Sequence, residues 1–412
     1  MNEWQEVVLG DLCERVTVGH VGKMATQYVE RGVPFLRSQN VHPFVINRKG
    51  LLFIGDDFNA KLRKSSLAAG DVVVIRTGYP GTASVIPEDL DGANCADLVI
   101  ITPSDRLNPH VLAGLFNSAY GQSTVKSQLV GSAQQHFNVG SAKAMKVRLP
   151  DRAGQDRIAE ILCSLNDLIE NNRRRVEILE EMARAIYREW FVEFRYPGHV
   201  DVPVVDSTLG PVPEGWEAST LGDVTDVTSG QSPKSEFYNE DGIGKPFHQG
   251  VADFGPHFPR TRKWCSIEGR SAFDGDVLIS VRAPVGRINV ADSDITIGRG
   301  LAAVRAKGGK QALLLGQLRE VFAEEDSMGN DGAIFKSLSK AEFSSLPALV
   351  PPDDLANAAE EVLSDNLAMI RALSHATRQL SDLRDLLLPK LVTGQIDVSA
   401  LDLGALLEGA VA

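Results

Sequence analysis

The chain has 412 residues, 43% of them hydrophobic, and its 42 Lys and Arg residues against 54 Asp and Glu residues give a net charge of −12. A chain of this length is expected to form two globular units, and none of its apolar runs approaches the ~20 residues of a membrane-spanning helix. The acidic balance argues against strong DNA binding by the chain alone.

The N-terminus and the cysteines both indicate a cytoplasmic protein. The first residues, MNEWQEVV, lack the basic start and the apolar core of a signal peptide. The cysteines do not form CxxC pairs, so we expect free thiols in a reducing compartment rather than disulfides or a zinc site. They are Cys13, Cys95, Cys163 and Cys265.

The acidic residues are unevenly distributed along the chain. Residues 1–150 contain 15 basic against 13 acidic residues, and residues 214–352 contain 15 against 19. Residues 151–213 contain 8 against 12, and residues 353–412 contain 4 against 10. The first two of these segments are therefore suited to local contacts with phosphates, although the whole chain is acidic.

The first 150 residues predict a mixed α/β globule. Trp4 is followed five residues later by the short segment LGDL, and a polar, glycine-rich stretch comes next. The run GDVVVIRT (70–77) is rich in β-branched residues and is entered through a Gly-Asp turn, which predicts a strand. Residues 108–129 have a helical pattern.

From Ile158 onward the apolar positions alternate in steps of four and three residues. Such a heptad pattern predicts a long helix with a narrow apolar seam suited to a partner helix, and ~35 residues span roughly 50 Å. The seam consists of Ile158, Leu162, Leu165, Ile169, Asn172, Val176, Leu179, Ala183, Ile186 and Trp190.

The chain then repeats itself. Residues 194–216 form a linker with four prolines and three glycines, and Trp216 again lies five residues before an LGD segment. GDVLISVR (275–282) matches the first strand at an offset of 205, and residues 311–325 are again helical in pattern. Residues 331–352 face residues 132–150, with Phe335 opposite Phe137.

A second heptad seam follows the second globule. It consists of Leu355, Ala359, Val362, Asn366, Met369, Leu373, Ala376, Leu380, Leu383 and Leu387. Pro389 predicts that this helix stops or kinks near Leu388. Each seam contains one asparagine, Asn172 or Asn366, and a lone polar residue at such a position penalises slipped registers.

The repeat predicts a tandem duplication in which each copy is a globule plus a long helix. We favour pairing of the two helices with each other, and the alternative is that each helix lies on its own globule. The predicted boundaries are 1–150 for the first domain, 151–194 for the first helix, 195–213 for the linker, 214–352 for the second domain, 353–392 for the second helix and 393–412 for a tail.

The sequence lacks the common catalytic motifs. It contains no GxxxxGK[ST], HExxH or GxSxG, and VPPDDL (350–355) lacks the flanks of an adenine methyltransferase loop. We therefore predict no catalytic residue and no metal site, and interpret two similar globules with long helices as a bivalent binding device.

This arrangement resembles the specificity subunit of a type I restriction–modification system. The resemblance covers essentially the whole chain and depends most on DSTLGPVPEGW before the second domain, REWFVEF (188–194) after the first helix and LLLPKLVTGQI (386–396) after the second. GSAQQHFNV (131–139) also fits the family, whereas its second copy, DGAIFKSLS, does not.

The resemblance implies a non-enzymatic DNA reader with a mixed α/β fold. Two target recognition domains, related by a pseudo-two-fold axis, would each read one half of a bipartite site, and an antiparallel coiled coil would act as a ruler between them. Two modification subunits using S-adenosylmethionine would methylate adenines, and restriction subunits would supply ATP- and Mg²⁺-dependent translocation and cleavage. This chain would bind no cofactor itself.

Candidate DNA contacts are polar and basic side chains in predicted loops, since base edges need donors and acceptors and phosphates need Lys or Arg. In the first domain they are Arg37, Ser38, Gln39, Asn40, Lys61, Arg63, Lys64, Arg76, Tyr79, Gln134 and Gln135. In the second they are Lys234, Tyr238, His248, Gln249, Arg260, Arg262, Lys263, Arg282 and Arg287. The matching strands place Arg76 and Arg282 in equivalent positions. A solvated surface explains any single Lys or Arg better than DNA contact does, whereas the clusters favour DNA contact.

Three other interpretations stay open at this point. One is a protein-interaction scaffold without DNA specificity. Another is the recognition module of a self-contained restriction enzyme, and a third is an inactive or phase-variable member of the same family.

Overall fold

The computed structural model describes residues 4–129, 136–322 and 337–398. The chain divides into two compact units: unit 1 comprises residues 1–171 and 377–412, and unit 2 comprises residues 172–376. Each unit contains one globule and half of each long helix. The predicted sites Gln134 and Gln135, as well as Phe335, lie outside the described residues.

The globule of unit 1 contains two four-stranded sheets. The first is antiparallel, in the order Cys13–Val18, Leu98–Pro103, Val72–Ile75, Ala83–Val85. The second has the order Asn94–Cys95, Val33–Leu36, Leu52–Ile54, Tyr28–Val29, and its first pair is parallel. Two further antiparallel pairs are Gln5–Val8 with Lys146–Leu149 and Val41–His42 with Val45–Ile46.

Short helices connect these strands. They are Leu9–Leu12, Ser38–Asn40, Asp56–Asn59, Ala60–Ser65, Glu88–Leu90, Pro109–Asn117, Ala119–Ser127 and Val139–Ala144. The helices at 109–117 and 119–127 confirm the predicted helical segment, which breaks at Ser118 because its hydroxyl caps the second helix at Gly121.

The globule of unit 2 repeats this topology with one additional strand, Ser271–Ala272, in its second sheet. Its antiparallel sheet has the order Thr225–Ser229, Leu301–Ala306, Val277–Ser280, Ile288–Val290. Its second sheet has the order Tyr238–Asn239, Trp264–Cys265, Lys245–His248, Ile295–Ile297, Ser271–Ala272. Other pairs are Glu217–Thr220 with Pro347–Val350 and, in the linker, Val204–Ser207 with Gly210–Pro213. The helices are His199–Asp201, Leu221–Val224, Ser235–Phe237, Val251–Asp253, Gln311–Val321 and Lys340–Ser345.

The Gly-Asp landmark of each repeat is a structural turn. Gly70 and Gly275 have φ values of +87° and +82°, a region that glycine enters without steric cost. The buried carboxylates that follow accept backbone hydrogen bonds, Asp71 from Ala68 N at 2.9 Å and Asp276 from Phe273 N at 2.8 Å. Both predicted strands, Val72–Ile75 and Val277–Ser280, begin directly after these turns.

Equivalent backbone hydrogen bonds confirm the duplication and correct one of its pairs. Phe137 N donates to Arg76 O at 3.1 Å, and Leu338 N donates to Val281 O at 3.1 Å. Leu338 is therefore the counterpart of Phe137, and both are buried. The predicted pairing of Phe137 with Phe335 is wrong because the second copy places leucine at that core position.

The two long helices pair in antiparallel orientation. The first spans Arg152–Tyr187 and continues as a π-turn, Arg188–Val192, and the second spans Asp353–Val392. Within unit 2, Val176 shares a core with Ile370, while Tyr187 shares one with Leu363. Residue numbers thus rise on one helix as they fall on the other.

The helices also pack on the globule of their own unit, so the two arrangements considered from the sequence coexist. A Cβ added to Gly114 would lie 2.8 Å from Leu162 Cδ1 and 3.3 Å from Leu388 Cδ1. In unit 2, Gly316 packs in the same way against the ring of Tyr187.

The first predicted seam is confirmed, and the second is wrong at three of its ten positions. Val362, Met369 and Leu383 are 43%, 48% and 38% exposed, whereas Leu363 and Ile370 are buried instead. The sequence has apolar residues on both sides of the stripe, so spacing alone did not identify the buried side. The positions Ala359, Asn366 and Leu380 in the same predicted seam are buried.

The two seam asparagines differ in their surroundings. Asn366 Oδ1 is buried and has no hydrogen-bond partner among the described residues, whereas Asn172 is half-buried.

Of the two predicted effects of Pro389, a stop at Leu388 is wrong, because the second helix passes through Pro389 and ends at Val392. Proline removes one backbone hydrogen bond, and here only about one turn follows it. Leu388, Leu391 and Val392 are buried in the core of unit 1, which holds this last turn in place.

Both tryptophans of the repeat are packing residues. Trp216 is buried among Phe191, Phe194 and Tyr196, so REWFVEF closes the first helix by covering this indole. Trp4 packs against the core of unit 1. No helix in the described parts of the chain is long and apolar enough to cross a membrane.

Candidate nucleic-acid interface

Three strands of the unit 1 globule end close together and present polar side chains. Val33–Leu36 and Asn94–Cys95 are parallel, and the amide of Ala96 donates to Leu36 O at 2.9 Å. Arg37 and Asp97 therefore leave the sheet at one edge. Val72–Ile75 of the other sheet contributes Arg76 to the same place. We call this surface the strand-end face of unit 1.

Arg76 and Asp97 form an ion pair on this face. Arg76 Nη1 donates to Asp97 Oδ1 at 2.6 Å, and the side chains are 18% and 44% exposed. Asp97 is one of the few non-glycine residues with positive φ, +51°, and its amide donates to His20 O at 3.1 Å. Arg76 Nε is buried without a partner in the described part of the chain.

The LRSQN segment divides into structural and accessible side chains. Asn40 is fully buried: its Oδ1 accepts from Arg37 N at 3.0 Å and its Nδ2 donates to Asn47 O at 3.1 Å. Asn40 therefore shapes the turn and does not face solvent. Gln39 is exposed, Ser38 is half-buried, and Arg37 donates to Gly50 O at 2.9 Å.

The remaining candidates of unit 1 are solvent-facing. Lys61, Arg63 and Lys64 are exposed on the 3₁₀ helix Ala60–Ser65, and Tyr79 is 81% exposed on the loop after Arg76. Such side chains can reach a polyanion without loss of internal contacts.

The unit 2 globule has the equivalent strand-end face with different side chains. Gly298 N donates to His248 O at 2.8 Å and Val281 N donates to Gly300 O at 2.9 Å, so the same three strand ends meet. They present exposed Gln249, Arg282 and Arg299.

Two candidates of unit 2 are internal supports. Tyr238 stacks on Phe247 with ring centroids 4.5 Å apart, and its hydroxyl donates to Pro233 O at 2.7 Å. His248 is only 1% exposed, with Nε2 3.3 Å from Thr261 Oγ1. Burial lowers the pKa of His248, which favours its neutral form.

The other basic candidates of unit 2 lie at the surface. Lys234, Arg260, Lys263 and Arg287 are exposed, and the guanidinium of the exposed Arg262 donates to Ala252 O. They place positive charge on the surface of the unit 2 globule, and contacts with phosphates require such charge.

The predicted equivalence of Arg76 and Arg282 is wrong by one residue. Gly81 N donates to Ile75 O, and Gly286 N donates to Ser280 O, which aligns Arg76 with Val281. The position of Arg282 corresponds to Thr77, whose hydroxyl lies 2.8 Å from His136 Nδ1. The two faces thus share a framework while their polar groups differ.

Sequence reasoning missed several polar groups on these faces. They are His20, Thr77, Asp97 and His136 in unit 1 and Ser232 and Arg299 in unit 2. Aligning the repeats by their strands would have identified Arg299, which lies two residues after Ile297 as Asp97 lies two residues after Cys95. The positive φ of Asp97 has no sequence signal.

The larger cavities lie elsewhere and carry no catalytic arrangement. One of about 670 Å³ in unit 2 is lined mainly by apolar side chains, including Phe191, Phe194 and Leu313. Another of about 490 Å³ lies beside Glu180, which accepts from His257 Nδ1 at 2.9 Å and Arg319 at 3.3 Å. The described residues contain no group of three or more His, Cys, Asp or Glu side chains that could hold a metal ion.

Comparison with known proteins gives a consistent result. Residues 1–181 match the family described as Type I restriction modification DNA specificity domain. A putative type I restriction enzyme specificity subunit of Methanocaldococcus jannaschii is 27% identical, with 96% of this chain and 94% of that protein aligned. The specificity subunit of the Haemophilus influenzae enzyme HindI is 20% identical over 96% of this chain and all of that protein.

A solved structure supports the fold. The type I restriction–modification S subunit from M. genitalium has a TM-score of 0.65 at 15% identity, covering 95% of this chain and 96% of that one. At this identity the likeness concerns the fold alone.

Proposed function

The chain belongs to the specificity subunits of type I restriction–modification systems, and we propose that each of its two globules reads one half of a bipartite DNA target. As a specificity subunit it is a sequence-specific DNA-recognition protein and not itself an enzyme. The half-site assignment is our inference from the duplicated fold.

The two strand-end faces are the observation that carries this proposal. They are built by equivalent strands, yet one presents Arg37, Arg76 and Asp97 and the other Gln249, Arg282 and Arg299. A shared framework suits two segments of the same duplex, and different donors and acceptors suit two different base sequences.

The long helices suit the role of a spacer. Their antiparallel pairing gives a structure of defined length, since each residue of a helix advances the axis by about 1.5 Å. We propose that this length determines the gap of unread base pairs between the half-sites.

Catalysis is assigned to partner subunits. We propose that two modification subunits methylate adenine with S-adenosylmethionine and that restriction subunits add ATP- and Mg²⁺-dependent cleavage, all in the cytoplasm. The net charge of −12 supports this division, because much of the attraction to phosphate would then come from the partners.

Adenine-methylation sequencing of the host genome, with and without the gene for this chain, tests the proposal. We expect loss of methylation at one two-part motif with a fixed gap. An unchanged pattern in a host whose modification subunits are expressed would contradict it.

A further inference from the structure

The Arg76–Asp97 ion pair is present in only one of the two globules. The strand pairs align Ala96 with Gly298 and Leu98 with Leu301, so Arg299 and Gly300 occupy the place of Asp97 and neither is acidic. The counterpart of Arg76 is Val281, as shown above. The shared fold therefore does not require this pair.

The backbone at Asp97 is held in an uncommon conformation. Its φ of +51° lies in the left-handed region, which residues other than glycine enter rarely, although aspartate enters it more readily than most. Such strain is tolerated mostly where it serves function. Because the carboxylate is 44% exposed, its ion pair is partly screened by solvent and is a weak stabiliser of the fold.

The guanidinium groups on this face have N–H donors without hydrogen-bond partners among the described residues. Arg76 Nε and Arg37 Nε are both buried without hydrogen-bond partners among the residues described. A guanidinium carries five N–H donors, so Arg76 keeps donors beyond the one used on Asp97. The pair thus combines a fixed acceptor with an adjacent, partly unused donor group.

This combination matches the major-groove edge of one base pair. Guanine presents acceptors at O6 and N7, and cytosine presents a donor at N4. We propose that Asp97 and Arg76 determine specificity at one G·C pair of the first half-site, with Arg76 donating to guanine and Asp97 accepting from cytosine N4. This assignment rests on the proposed function.

Substitution of Asp97 tests the assignment in the complete system. Asp97→Asn keeps the shape of the side chain but replaces an acceptor oxygen with a donor. Asp97→Gly removes the acceptor and also the strain at positive φ, so this variant is expected to fold. We expect both to weaken discrimination at one G·C position of one half-site by about 5-fold, the lower end of the range for a bidentate base contact, because Asp97 makes a single hydrogen bond to cytosine.

A matched control is available in the same globule. Arg48 and Asp89 form an exposed ion pair of 2.7 Å, so Asp89→Asn removes a similar carboxylate that does not follow one of the three strands of the strand-end face. The methylated motif of each variant would be determined by sequencing, with competition between substrates that differ at one base pair giving the fold-change. Asp89→Asn should leave the motif unchanged.

The outcomes separate this inference from the proposed function. A wild-type chain without a two-part motif would overturn both. A wild-type two-part motif that persists unchanged in Asp97→Asn and Asp97→Gly would overturn the base-pair assignment alone. Complete loss of methylation by a folded Asp97→Gly variant would also overturn it, because reading one base pair cannot account for the whole affinity.

Discussion

Gly394 lies directly against the indole of Trp4: a Cβ at position 394 would be 2.5 Å from Cε2 of the tryptophan. Residues from near both ends of the chain therefore pack together in unit 1, which explains how the TGQI segment and the first tryptophan belong to one core. Ile396 and Val398 pack against the same core.

Gly394→Ala is expected to destabilise unit 1. Alanine would incur the left-handed penalty of about 1–2 kcal/mol at φ +73°, and the collision with Trp4 would add about 1–3 kcal/mol. Gly198→Ala is the control, since φ is +85° there and a Cβ would meet nothing within 4 Å. Equal decreases in melting temperature for the two variants would contradict a destabilising collision with Trp4.

The exposed arginines of the unit 2 face should contribute to phosphate binding. Arg282→Ala and Arg299→Ala are each expected to reduce the slope of log K against log salt concentration by about one, because each contact releases about one counterion. Binding would be measured with the assembled methyltransferase complex. Arg195→Ala removes a linker charge that is paired with Glu189 of the π-turn, and it should leave the slope unchanged. Equal slopes for all variants and wild type would contradict these contacts.

Glu180 should stabilise unit 2 in a pH-dependent way. Burial raises the pKa of Glu180, but the hydrogen bond from His257 and the charges of His257 and Arg319 outweigh it and bring the pKa below its ordinary value of 4.5. A depressed pKa in the folded state means stabilisation that is present above pH 4.5 and lost as the pH falls through the folded-state value.

The corresponding test is Glu180→Gln, measured by thermal unfolding between neutral and acidic pH. We expect the variant to be less stable than wild type at pH 7, with the difference shrinking below about pH 4.5. Glu181→Gln, at an exposed neighbour, should behave as wild type throughout. A difference between Glu180→Gln and wild type that does not depend on pH would contradict the linkage.

Shortening both long helices tests the proposed spacer. Removal of one heptad from each, around Asn172 and Asn366, shortens the pair by about 10 Å, or roughly three base pairs. Sequencing of methylated sites should show a shorter gap and the same half-sites. Altered half-site sequences in a folded variant would contradict the ruler.

The sequence predicted those parts of the fold that depend on local chemistry. The Gly-Asp turns before Val72 and Val277 have strong local signals, and the heptad pattern indicated both long helices. The side of the second helix that is buried could not be predicted, because Val362 and Leu363 are both apolar and only the packing against Tyr187 and Ala312 favours Leu363.

The candidate interface was predicted less well. Exposed basic residues such as Lys61 and Arg282 were identified by type, whereas Asn40 and His248 have the same polar character but are buried by tertiary contacts. Asp97 was missed because its role depends on a strand pairing and a positive φ that leave no local pattern.

Exchange of residues 1–150 for those of another family member, followed by adenine-methylation sequencing, tests the central claim most directly. If each globule reads one half-site, one half of the methylated motif changes while the other half and the gap are retained. A motif that is unchanged, or one in which both halves change, would contradict the account.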